Sequence, residues 1–227
     1  MSLPIAQIRW LFFDLGNTLV DETAATETRL REVAFCFERH GGCYSVEDIR
    51  SALREASVEF APRLITTAIA KLTDDADLRR SIEADIRYPK ELEAPYDGAR
   101  QILRMLSSRY RIGVIANQSP GTQERLTKWG LMPLISVCFS SAEIGLEKPD
   151  PKIFRLALFH AGCAPEEAVM IGDRIDNDIR PPRLQGWRTI RILQGFARFQ
   201  SPRDQFDEAD ATVVALAELP LAAPGTT

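Results

Sequence analysis

The sequence is poor in residues that mark several common chemistries. It has two histidines, His40 and His160, far apart, too few for a histidine metal cage and a thin basis for histidine general-base catalysis. His40 reads as a helix-end residue and His160 as a helix-surface one. The four cysteines, Cys36, Cys43, Cys138 and Cys163, form no CxxC pair. That argues against zinc and disulfide frameworks and leaves them as small core residues in a reducing, cytoplasmic setting. No apolar run is long enough to span a bilayer, and MSLPIAQIRW lacks the charged region and apolar core of a secretory signal. Basic residues are scattered and the net charge is −4, so no stripe suits a nucleic acid.

What is present is an alternation. Short β-rich apolar runs occur at residues 10–15 (WLFFDL), 111–117 (RIGVIAN), 137–140 (VCFS), 169–173 (VMIGD), 189–193 (TIRIL) and 211–214 (ATVV). Helical patterns fill 98–110, 123–130, 151–161 and a stretch after Asp178. Buried runs alternating with helices predict an α/β fold, a Rossmann-like, doubly wound parallel sheet covered on both faces. Ligands of such sheets bind at the carboxyl ends of the strands, where Asp14, Asn117 and Asp173 fall.

Residues 21–93 break the alternation. Leu30, Val33, Ala34 and Phe37 follow helical spacing, and Ser45 with Asp48 three residues on reads as a helix start ahead of Ile49, Leu53, Ala56 and Phe60. Further helices are expected near 64–71 and 78–86. This reads as a small all-α cap domain, residues 21–93, inserted into an α/β core of residues 1–20 plus 94–227, with hinges near 21–23 and 89–95. Phe35, Phe37 and Phe60 are expected in the cap core, and Trp187 against the sheet. Pro181-Pro182 stands where a helix should follow the last acidic run; proline fits only a first turn, so the pair shortens or displaces that helix. The tail after Pro220 is expected to fray.

Four features converge on one end of the expected sheet: Asp14 after the first strand, Asn117 with Ser119 and Thr122 after the second, Lys148 in GLEKPDPKIF, and Asp173, Asp176 and Asp178 in IGDRIDNDI. Singly each reads as a cap, a turn or a surface charge. Together they suit metal-assisted phosphoryl chemistry. Carboxylates hold a hard, oxygen-preferring cation, an ammonium offsets phosphoryl charge, and hydroxyls and amides grip phosphate oxygens. A carboxylate can also be the nucleophile.

DLGNTLVDE, EKPDPKIF and IGDRIDNDI, in this order and followed by GWRTIRILQG, resemble the motifs of the haloacid dehalogenase superfamily, in the branch with a helical cap inserted after the first strand. The resemblance implies a Mg²⁺-dependent phosphatase of a small phosphorylated metabolite, working as a monomer or homodimer without nucleic acid or membrane partners. It implies Asp14 as nucleophile, Lys148 as the neutralising cation, and Asn117 and Ser119 beside the phosphate. Mg²⁺ would be held by Asp14, the Gly16 carbonyl, Asp173 and, directly or at one remove, Asp178. Asp176 matches no essential position and reads as an exposed turn acid.

The pattern is broken twice. Most phosphatases of the family carry an aspartate two residues after the nucleophile as general acid and base; here Gly16 keeps only the carbonyl. Ala116 stands where the second motif offers a hydroxyl. General acid–base help is worth about 10²–10⁴ in rate, and a lost charge-assisted hydrogen bond about 1.5–3 kcal/mol. The expectation is a slow enzyme favouring good leaving groups such as acyl or aryl phosphates. Two alternatives are a catalytically impaired phosphate- or metabolite-binding protein, and C–halogen or C–P cleavage at the same nucleophile. Phosphonate cleavage would need a Schiff-base lysine in the cap, where Lys71 and Lys90 are the candidates.

Overall fold

A computed structural model describes residues 5–221; the tail expected to fray lies, beyond Leu221, outside the described residues. The chain forms two compact units. One comprises the chain up to Asp21, Ala94–Gln194 and the chain from Pro202; the other comprises Glu22–Glu93 and Gly195–Ser201.

The first unit is built on a six-stranded sheet. Its strands are β1 (Trp10–Phe13), β4 (Arg111–Ala116), β5 (Val137–Ser140), β6 (Ala168–Gly172), β7 (Arg188–Ile192) and β8 (Ala211–Val213), in the order β5-β4-β1-β6-β7-β8. Every pairing is parallel, with Phe13 opposite both Val114 and Ile171. The period-two pleat of β1 explains why the run is apolar throughout. Leu11 and Phe13 join Val114, Ile171, Ile190 and helix α5 (Ala99–Ser107) on one face. Trp10 and Phe12 join Ile115, Met170, Trp187 and helix α8 (Pro151–Ala161) on the other. Each such buried side chain contributes about 1.5–3 kcal/mol. Gly113 makes room for the crossing ring, since a Cβ there would stand 2.4 Å from Phe12. Shorter helices α6 (Thr122–Lys128), α7 (Ser141–Ile144) and α9 (Arg180–Arg183) complete the connections. A two-residue antiparallel pair, β2 (Val20–Asp21) with β3 (Ala94–Pro95), was not foreseen from the sequence.

The second unit holds four helices, α1 (Thr23–Arg39), α2 (Val46–Val58), α3 (Leu64–Leu72) and α4 (Ala76–Asp85), around Leu30, Phe37, Ile49, Ile69 and Ile82. Helix α2 begins in a capping box: Ser45 Oγ accepts from the Asp48 N–H while the Asp48 carboxylate accepts from the Ser45 N–H. Gly195–Ser201, which the sequence pattern gave no reason to detach from the sheet unit, belongs here. Ser57 donates to the Phe196 carbonyl at 2.9 Å, and the Arg54 guanidinium lies 4.2 Å from the Phe199 ring centroid.

Three side chains depart from expectation. Phe35 is 60% exposed on α1 because it falls off the Leu30–Val33–Phe37 stripe. Cys43 is exposed in the turn between α1 and α2 rather than in the core. Asp176 is half-buried and ion-paired, as described below. All four cysteines are free. Among the described residues no helix is long and apolar enough to cross a membrane.

Candidate active site

The parallel ladder brings the acidic loops together. The Asp14 N–H donates to the Ile171 carbonyl at 2.9 Å, extending the β1–β6 pairing one residue past β1. Asp14 therefore leaves the sheet beside the loop that carries Asp173. Carboxylate oxygens of Asp14, Asp173 and Asp178 all lie within 4.8 Å of one another.

Lys148 joins them. Its Nζ donates to Asp14 Oδ1 at 2.7 Å and to Asp178 Oδ1 at 2.6 Å. Lys148 and Asp178 are buried and Asp14 is partly exposed, its side chain 13% accessible. Burial alone would push the Lys148 ammonium down, but Asp14 and Asp178 outweigh it and hold the ammonium above its ordinary value. Burial pushes the Asp178 carboxyl up, Lys148 opposes this, and the negative Asp14 reinforces it. Three carboxylates and the Lys148 ammonium thus share one cluster. Two arginines border the cluster: Arg174 pairs with Asp176 and also interacts electrostatically with Asp173 and Asp178, and Arg191 donates to the backbone carbonyl of Asp173 at 3.4 Å.

The loop after β6 owes its shape to sequence. Residues Ile175–Ile179 form a single π-helical turn, in which the Arg180 N–H reaches back to the Ile175 carbonyl. Pro181 and Pro182 occupy the first turn of α9 and have no N–H to continue that pattern, so they bound the π turn on its far side. Asp178 turns inward, its Oδ2 accepting from the Arg174 N–H at 3.0 Å. Gly172 leaves the space it needs: a Cβ there would fall 2.4 Å from the Asp178 carboxyl carbon.

Lys148 is delivered by a turn rather than by an element. Two residues on, Asp150 caps α8 by accepting from the Lys152 N–H at 2.8 Å, with Pro151 at the first helical position.

The family model for haloacid dehalogenase-like hydrolases matches residues 8–183. The chain belongs to this family. It is 29% identical over 213 residues to glyceraldehyde 3-phosphate phosphatase of Methanopyrus kandleri, covering 89% of this chain and 91% of the relative. It is 37% identical over 137 residues to phosphoserine phosphatase of Thermus thermophilus, covering 60% of this chain and 52% of that one. A solved haloacid dehalogenase-like hydrolase of Streptococcus pneumoniae shares the fold, with a TM-score of 0.68 at 20% identity over 94% of this chain and 97% of that one.

As a haloacid dehalogenase-like hydrolase the chain has its acids and lysine in one cluster, and the other expected groups have partners of their own. Asn117 uses its side chain on Lys148, as described below. Ser119 is exposed, and its carbonyl accepts from the Thr122 hydroxyl at 3.2 Å. Ser140, opposite Ala116 in the β4–β5 register, spends its hydroxyl on Thr122 at 2.9 Å. Gly16 lies in the turn before β2, bridged to Val20. Asp176, expected as an exposed turn acid, instead takes Arg174 in a two-point ion pair at 3.1 and 2.5 Å. Its spacing to Arg174 was visible in IGDRIDNDI, but a two-residue spacing alone does not distinguish a pair from two solvated charges.

Proposed function

We propose that this hydrolase is a slow, Mg²⁺-dependent phosphatase of small phosphorylated metabolites, acting through an aspartyl-phosphate on Asp14. The observation that carries this reading is the trio Asp14, Asp173 and Asp178 within 4.8 Å, gathered around Lys148. The all-oxygen donor set fits a hard divalent cation. Asp14 and Asp173, with the Gly16 carbonyl, would hold it. Asp178 is already bonded to Lys148 and to the Arg174 N–H, so it serves by holding Lys148. Bound there, the cation would offset charge on the phosphoryl oxygens.

The chain's own residues do the rest. Lys148 engages Asp14 Oδ1 and leaves Oδ2 outside the ion pair. A carboxylate oxygen of Asp14 attacks phosphorus; the ester P–O bond breaks and the leaving oxygen departs with the bonding electrons. Lys148 offsets the charge on nucleophile and phosphate throughout. Water then attacks the phosphorus of the aspartyl-phosphate, releasing orthophosphate and restoring the carboxylate. Position 16 supplies no proton to the leaving oxygen and takes none from the water. Acyl and aryl phosphates, whose leaving groups need little protonation, are the favoured substrates in vitro. The relatives named for three-carbon phosphates support a small metabolite as the physiological substrate.

The test is hydrolysis of p-nitrophenyl phosphate and acetyl phosphate with and without Mg²⁺. Mg²⁺-dependent turnover that Asp14→Asn abolishes is the expected result. Tight orthophosphate binding without turnover would favour a binding protein, and halide release from a 2-haloacid without metal would favour dehalogenation.

A further inference from the structure

The amide of Asn117 in the loop after β4, expected beside the phosphate, is bonded to the backbone of Lys148. Asn117 Nδ2 donates to the Lys148 backbone carbonyl at 2.7 Å, and the Lys148 backbone N–H donates to Asn117 Oδ1 at 2.7 Å. The two residues are separated by 31 positions. Lys148 lies in a turn between α7 and α8, outside any helix or strand, and Pro149 beside it has no N–H. Its backbone groups therefore need partners from outside the ladder. Asn117 satisfies both, as a neighbouring strand would.

The loop that presents Asn117 is itself fixed. The Gln118 N–H donates to Ser141 Oγ at 3.0 Å, and Ser141 Oγ donates back to the Gln118 carbonyl at 3.1 Å. Arg125 reaches the Pro120 carbonyl at 3.0 Å and the Gln118 side chain at 3.0 Å.

We propose that Asn117 is a positioning residue: its amide clamps the backbone of Lys148 so that the ammonium is held between Asp14 and Asp178. A lysine stem has four rotatable carbons and about 2 kcal/mol of rotamer entropy. Anchoring its backbone end confines the search of the charged end to one small volume. In this chain the loop after β4, without a hydroxyl at Ala116, acts on the reaction through Lys148. The assignment rests on the phosphoryl-transfer reading for its catalytic consequence and on geometry alone for the clamp.

The test separates the two. Amines of the folded protein are acetylated with an N-hydroxysuccinimide ester, and the rate at each lysine is read by mass spectrometry. In the wild type, buried Lys148 is protected while exposed Lys128 and Lys152 react. In Asn117→Ala, Lys148 labelling rises by about tenfold, the effect of losing one to two net hydrogen bonds, with Lys128 and Lys152 unchanged. Asn117→Asp, which keeps the acceptor for the Lys148 N–H, falls between. Where the wild type turns over p-nitrophenyl phosphate, kcat falls in the same order. Unchanged Lys148 labelling in both variants, with weakened orthophosphate binding, would overturn the proposal in favour of a direct phosphate contact. A uniform rise at all three lysines would overturn it in favour of general loosening. Faster Lys148 labelling in a protein with no turnover would leave the clamp standing and count against the phosphatase reading.

Discussion

Asp178 and Asp207 are both fully buried, and their surroundings pull them in opposite directions. Asp207, in the connection between β7 and β8, accepts from Arg203 at 2.6 and 3.2 Å and from Arg180 at 2.9 Å. Burial alone would push its carboxyl up, but those arginines outweigh burial and hold it down at about 2. Asp178 has one ammonium, shared with Asp14, and its carboxyl is raised. The arginines at Asp207 and the neighbouring negative Asp14 at Asp178 act in opposite directions. Asp207 sits in a balanced network, with Arg180 also reaching Asp204, and reads as a structural tie between α9 and the following loop. Asp178 shares its one ammonium with a second carboxylate, and a buried carboxyl raised in this way marks a candidate site.

The largest effect is expected at position 16, where the proposed site lacks an acid. Gly16→Asp restores an acid two residues after Asp14 and should raise kcat for p-nitrophenyl phosphate by about 10²–10⁴-fold, the usual worth of general acid–base help. An unchanged rate would mean that position 16 does not face the leaving oxygen. Next, Mg²⁺ at roughly a hundred times its dissociation constant should stabilise the wild type by about 2.7 kcal/mol. Calorimetric melting checks this; the gain should vanish in Asp173→Asn and persist in Asp207→Asn.

Asp207→Asn should then cost stability on the order of 2 kcal/mol near neutral pH, from a folded pKa of about 2 against an unfolded value near 3.9. The folded value is depressed, so this contribution is present above the unfolded pKa and is lost as pH falls through the folded one. Denaturant titrations of wild type and variant should differ above about pH 4 and converge towards pH 2. The smallest effect is expected for Asp178→Asn, which keeps an acceptor for only one of its two donors, Lys148 Nζ and the Arg174 N–H, but offsets that loss by removing one of three clustered negative charges. Its cost without Mg²⁺ should be about 1 kcal/mol or less. A loss as large as that of Asp207→Asn would erase the distinction between the two aspartates.

Much of the fold was legible because the core strands are apolar on both faces, and Trp10–Phe13 and Ala168–Gly172 stand out as continuous runs, Val137–Ser140 more weakly. The pairing of β2 with β3 was not, since two residues carry no periodicity. Gly195–Ser201 joins the helical unit through contacts to Ser57 and Arg54 that no local pattern encodes. At the site, Asp14, Lys148, Asp173 and Asp178 were visible as charges after apolar strands. The Asn117 clamp was not, because a side chain bonded to backbone across a long separation leaves no trace in spacing. Pro181-Pro182 announced an irregular helix, but its form, a π turn that tucks Asp178 inward, has no signature in the local pattern.

The central claim is that Asp14 is phosphorylated, and mass spectrometry of the protein after acid quenching from acetyl phosphate and Mg²⁺ tests it most directly. Because position 16 has no base to activate water, the phosphorylated form should accumulate, with the modification on Asp14, and should be depleted in Gly16→Asp. An unmodified Asp14 under conditions where the wild type releases orthophosphate would contradict the account.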